Sequence, residues 1–95
     1  MDSTERATLT RRLAALHKRL ATIGPLMRGS VVTIGTRSKH PYFSLNKNKK
    51  THLIYLGKKR ENRARQYSAN YHTLLEIIEE MTVLNMALLK NYHGD

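Results

Sequence analysis

Apolar residues enter the chain at Leu9, Leu13, Leu16, Leu20 and Ile23, spaced four, three, four and three apart. That spacing lays a single apolar stripe along one face of a helix and predicts a helix over residues 2–23. Asp2, with Glu5 three residues on, reads as its capping box. "IGP" at 23–25 ends it, because Gly suits the reversal after a helix and Pro has no N–H with which to continue one. Arg11, Arg12, Lys18 and Arg19 fall off the stripe, toward solvent.

From residue 30 the period drops to two. "SVVTIGT" (30–36) is β-branched, and "PYFSLN" (41–46) and "THLIYL" (51–56) alternate. The links "RSKH" (37–40) and "KNKK" (47–50) are short enough to join adjacent antiparallel strands, so 30–56 is predicted to be a three-stranded meander. Alternation assigns Val32, Ile34, Phe43, Leu45, Ile54 and Leu56 to one face, and Tyr42, Ser44, Leu53 and Tyr55 to the other. Three strands cannot bury both faces, so a helix must cover one.

Helical spacing returns over 59–91. Tyr67, Tyr71, Leu74, Ile78, Met81, Asn85 and Leu88 form a second seam, and Leu75, Ile77, Leu84 and Leu89 widen it. A stripe so wide has more than one apolar contact to satisfy, which makes the seam the candidate surface for a homodimer or a larger protein complex. Asn85 has two readings, a register-setting polar residue in a coiled coil or a solvated residue near a helix end. The expected fold is α+β, a single domain over 1–95, with its two helices packed as a hairpin or coiled coil.

Charge sharpens this picture. The net charge is +10, and it is uneven: residues 30–65 hold ten Lys or Arg and only Glu61, while 66–95 hold one Lys and four acids. A field of that sign favours nucleic acid or another anionic surface. Arg37 and Lys39 lie in the first strand connection and Lys47, Lys49 and Lys50 in the second, while Lys58, Lys59, Arg60, Arg63 and Arg65 open the long helix. Cations at a helix start oppose its dipole unless an anion arrives, and such a local conflict points to function. The basic ribbon has two ways to meet nucleic acid. It can enter a major groove, or Tyr42 and Tyr55 can stack on the bases of a single strand. The bland alternative is a solubilising hairpin whose lysines guard an exposed edge.

Little speaks for catalysis. The seven acids, Asp2, Glu5, Glu61, Glu76, Glu79, Glu80 and Asp95, form no pair with a histidine partner. His17, His40, His52, His72 and His93 stand apart and make no metal-ligand motif, and glycines 24, 29, 35, 57 and 94 form no phosphate loop. No enzyme activity, cofactor or metal is expected. The absence of cysteine rules out disulfides and thiolate metal sites and suits a cytoplasmic protein. The apolar runs are too short for a membrane span, and the acidic start "MDSTERATLT" does not read as a signal peptide. Two functions follow as expectations: a non-catalytic nucleic-acid-binding accessory protein, for DNA or RNA, or an adaptor or inhibitor that docks through its helices.

Residues 9–90 carry Gly29-Ser30, Pro41-Tyr42-Phe43-Ser44-Leu45, Lys50, Tyr55-Leu56, Asn70-Tyr71 with Leu74, Ile78-Glu79-Glu80 and Leu84-Asn85. In these motifs the chain resembles a family of short bacterial and archaeal proteins, without assigned activity, often encoded in or beside transposable elements. The resemblance implies a leading helix, a hairpin sheet and a long closing helix, together with a mobile-element or phage-like setting. Many relatives carry a Cys-rich loop between the first two strands. Here that loop is "GTRSKH" (35–40), so no metal role carries over.

Overall fold

The computed structural model describes residues 1–93; Gly94 and Asp95, counted above among the glycines and acids, lie outside the described residues. The elements run α1 (Ser3–Thr22), β1 (Ser30–Ile34), β2 (His40–Lys47), β3 (Lys50–Tyr55) and α2 (Gly57–Lys90). The architecture is α+β, as the periodicities predict. The described residues pack as two compact units, one of Met1–Ile23 with the chain from Thr73, the other of Gly24–His72. Each has its own buried cluster.

The first unit is an antiparallel helix pair. Asp2 caps α1 by accepting from the Glu5 N–H at 2.8 Å, and Ile23 leaves the helix in an extended conformation ahead of Gly24. Leu16, Ile77 and Leu84 are buried together, with Leu9, Leu13, Leu20, Ile23 and Met81 packed around them. At the open end the Arg6 guanidinium donates to the Asn91 carbonyl. The α1 stripe is the one expected, but the α2 stripe is not. Ile77 is fully buried and Leu84 nearly so, whereas Ile78 is 47% exposed and Asn85 is also exposed. One residue along a helix is a turn of roughly 100°, so the buried face is rotated away from the predicted seam. Ile77 and Leu84, which only widened that seam, are its centre.

The second unit is the sheet with the N-terminal part of α2. Strand order is β1-β2-β3, antiparallel throughout. Phe43, Leu56 and Ala64 form its buried cluster, with Met27, Val31 and Leu45 packed on it, so α2 covers the inner face. β1 corrects the predicted faces. Val31 stands opposite Phe43, and Phe43 opposite Ile54, while Val32 stands opposite Tyr42 and Tyr42 opposite Tyr55. Directly opposed residues share a face, so Val32 and Ile34 belong to the outer, tyrosine-bearing face, and Val31 replaces them inside.

The segment from Gly24 to Gly29 is tied to α2 by three bonds. The Asn70 amide donates to the Pro25 carbonyl at 2.7 Å, the Met27 N–H to the Tyr67 carbonyl, and the Ser68 hydroxyl to the Gly29 carbonyl. Gly29 itself has φ +129°, and a Cβ there would come within 2.7 Å of the Phe43 ring and the Ser44 carbonyl. Only glycine lets β1 lie this close to the core phenylalanine.

Candidate nucleic-acid interface

The hairpin between β2 and β3 is tighter than "KNKK" suggests. Lys47 and Lys50 are paired at its end, leaving a two-residue turn in which Asn48 has φ +54° and Lys49 φ +64°. Two successive positive φ values are the mark of a type I′ turn, which matches strand twist and prefers Asn-Gly. Asn48 fits, whereas Lys49 occupies a position that favours glycine. The turn therefore projects Lys47, Lys49 and Lys50 from one short tip, all exposed.

Arg37 and Lys39 lie exposed in the β1–β2 connection, and Lys58 and Lys59 in the first turn of α2, which holds no acid. Arg63 is exposed one turn further on. None of Arg37, Lys39, Lys47, Lys49, Lys50, Lys58, Lys59 or Arg63 has a side-chain partner among the described residues. Two other predicted contacts are committed within the fold. The Arg60 guanidinium donates to the Tyr55 carbonyl at 2.6 Å and the Leu56 carbonyl at 3.1 Å, bracing the end of β3 against the start of α2. Arg65 lies 2.7 Å from Glu61, in the single ion pair among the described residues. It neutralises the one acid of this unit.

Tyr42 and Tyr55 meet edge to face on the outer side of the sheet, ring centres 5.5 Å apart, and His40 packs against Tyr55 in the same manner at 5.9 Å. Periodicity found the tyrosines but not His40, whose membership depends on the cross-strand register. Arg28 was missed as well, since nothing local shows that it donates to the Asn46 carbonyl near the hairpin tip. On the inner face a cavity of ≈ 350 Å³ opens beside Ile54, with Arg28, Lys47 and His52 at its margin. Ile54 is 53% exposed there, and β3 is exposed along its whole length.

The predicted self-association residues divide. Tyr67 and Tyr71 are half-buried in the sheet unit; Leu74, Met81 and Leu88 are half-buried in the helix pair; Ile78 and Asn85 are exposed. Leu75, Met86 and Leu89 extend the exposed apolar set. Glu76, Glu79 and Glu80 are exposed and have no ion-pair partner among the described residues. Among the described residues no group of three His, Asp or Glu side chains could hold a metal ion, and no helix is long and apolar enough to cross a membrane.

The charge divides more sharply by unit than along the sequence. Residues 24–72 hold eleven Lys or Arg against Glu61 alone, and the remainder of the chain holds six against six acids. The whole excess of positive charge therefore belongs to the sheet unit. Comparison of the chain with family models, curated proteins and solved structures finds no match.

Proposed function

We infer that the protein is a non-catalytic nucleic-acid-binding accessory factor whose sheet unit sits on phosphates. The observation that carries this reading is the confinement of the net charge to residues 24–72, with eleven cations against one already neutralised acid. Evenly solubilising charge would not collect in one unit. Lys47, Lys49 and Lys50 at the hairpin tip, and Lys58, Lys59 and Arg63 on α2, serve as phosphate contacts. Anions there also relieve the opposition between the first-turn lysines and the helix dipole. Arg60 and Arg65 act on structure instead. A role at a mobile element or phage-like locus fits the family resemblance, and the lack of cysteine suits a cytoplasmic setting.

A salt titration tests the reading. Binding should fall linearly on a log–log plot against salt. Replacing Lys47, Lys49 and Lys50 together with Ala, or Lys58, Lys59 and Arg63 together, should reduce the slope by about one per lost contact on every sequence tried. Affinity unchanged in both triple variants would refute it.

The exposed apolar stripe on α2 favours a second reading, an adaptor or inhibitor that docks through its helix pair. Leu75, Ile78, Met86 and Leu89 are each more than two-fifths exposed, and Asn85 lies among them. Sedimentation should then show a dimer or hetero-complex whose stability Asn85→Leu alters. A monomer indifferent to that change, and to Ile78→Ser, would dispose of it.

A further inference from the structure

The outer face of the sheet is not explained by phosphate contacts alone. The inner face packs against α2 around Phe43, while the outer one holds Tyr42, Tyr55 and His40 as a packed aromatic group, with Val32, Ile34 and Leu53 beside it. Tyr55 is 49% exposed, Leu53 48% and Ile34 42%, and no part of the sheet unit covers them. Cations flank the group along the chain. Lys39 directly precedes His40, Arg37 is in the same connection, and Lys58 and Lys59 follow the strand that carries Tyr55. Gly57 lies against the Tyr55 ring, so the exposed aromatic group adjoins the first turn of α2.

Resting on the nucleic-acid reading above, we propose that this face is a stacking platform for single-stranded nucleic acid, with bases on Tyr42, Tyr55 and His40 and phosphates on the flanking cations. Charge complementarity selects the occupant. The unit's single carboxylate, Glu61, is already paired with Arg65 and cannot receive a basic partner, and an apolar peptide would gain nothing from the flanking lysines and arginines. A duplex keeps its bases stacked inside and offers phosphates but no ring faces to the tyrosines. A single strand offers both, and aromatic stacking tolerates any base. The five steps from Tyr42 to Lys47 span about 17 Å along β2, so a strand stacked on the aromatic group can run down the sheet toward the turn at Asn48-Lys49. Edge-to-face packing holds the rings in place while leaving faces open.

The test uses the full chain and fluorescein-labelled oligo-dT and oligo-rU of about 15 nucleotides, a length within the site sizes of single-strand binders, with a duplex of equal length. Anisotropy is followed across a salt series for the wild type, Tyr42→Leu/Tyr55→Leu, Tyr42→Phe/Tyr55→Phe and the Lys47/Lys49/Lys50→Ala protein. The wild type should prefer both single strands to the duplex. The leucine pair should weaken single-strand binding by about 5- to 150-fold, as expected for one lost stacking partner or more, with the salt slope unchanged and duplex binding unaffected. The phenylalanine pair should bind as the wild type does, and the lysine variant should lose slope without losing the single-strand preference. Salt-dependent binding that the leucine pair retains, or a preference for duplex, overturns the platform while leaving the phosphate-binding reading intact. No binding to any of the three by the wild type overturns both. If the leucine pair does not fold, ultraviolet crosslinking of wild type to oligo-dT decides the matter. Adducts on the peptides carrying His40, Tyr42 and Tyr55 support the platform, and adducts elsewhere refute it.

Discussion

Replacing Lys49 with glycine should make the protein more stable and a weaker binder at once. Lys49 sits at φ +64° in a two-residue turn with Asn48 at +54°. A residue with a Cβ in that left-handed region costs about 1–2 kcal/mol. Glycine removes this cost but gains freedom in the unfolded chain, worth about 0.4–1 kcal/mol in the opposite direction. The net expectation is a stabilisation of about 0.5–1 kcal/mol, or roughly 3–6 °C in melting temperature for a domain this small. Asn-Gly is also the preferred pair for this turn. If Lys49 contacts a phosphate, its loss lowers the salt slope by about 0.9 on duplex DNA or 0.7 on a single strand. Over a fourfold rise in salt the wild type would then lose about threefold more affinity than the variant. Thermal melts and a salt series on the same preparation read both quantities. A variant that melts lower than wild type refutes the turn assignment. One that melts higher but keeps the full slope removes Lys49 from the interface, and with it the functional reason for a strained lysine.

Ile77→Ala should cost about 2–5 kcal/mol, as for a fully buried aliphatic side chain, and Ile78→Ala less than about 1 kcal/mol; urea melts of the pair decide which residue faces the core. Gly29→Ala, forced into a positive φ and against Phe43, should lose about 2–4 kcal/mol, and an unchanged melting curve would mean that β1 lies further from Phe43. Arg60→Ala should destabilise by about 1 kcal/mol through its two lost carbonyl bonds, whereas Lys58→Ala should not, so the two melts separate a strut from a contact.

Much of this protein is local and therefore readable in one dimension. The Asp2 cap, the 4-3-4-3 stripe of α1 and its end at Gly24-Pro25 follow from the backbone needs of a helix, and the structure has them where the pattern puts them. The order of strands follows as well, because links so short leave only adjacent antiparallel pairing. The excess of cations in the middle of the chain is a matter of composition. Tertiary structure decided the choices between equivalent local patterns. Along α2 two neighbouring stripes are both apolar at helical spacing, and only packing against α1 selects Ile77 and Leu84 over Ile78 and Asn85. In β1 a period of two separates the faces without saying which is inner. Pairing Val31 with Phe43 settled that, turned Val32 and Ile34 outward, and brought His40 to the tyrosines. Arg60 and Lys58 are cations of the same helix turn in the sequence; the carbonyls of Tyr55 and Leu56, presented by the end of β3, occupy one and leave the other free. A local pattern limits each segment to a few arrangements of nearly equal energy, and long-range contacts, which depend on the whole chain at once, choose among them.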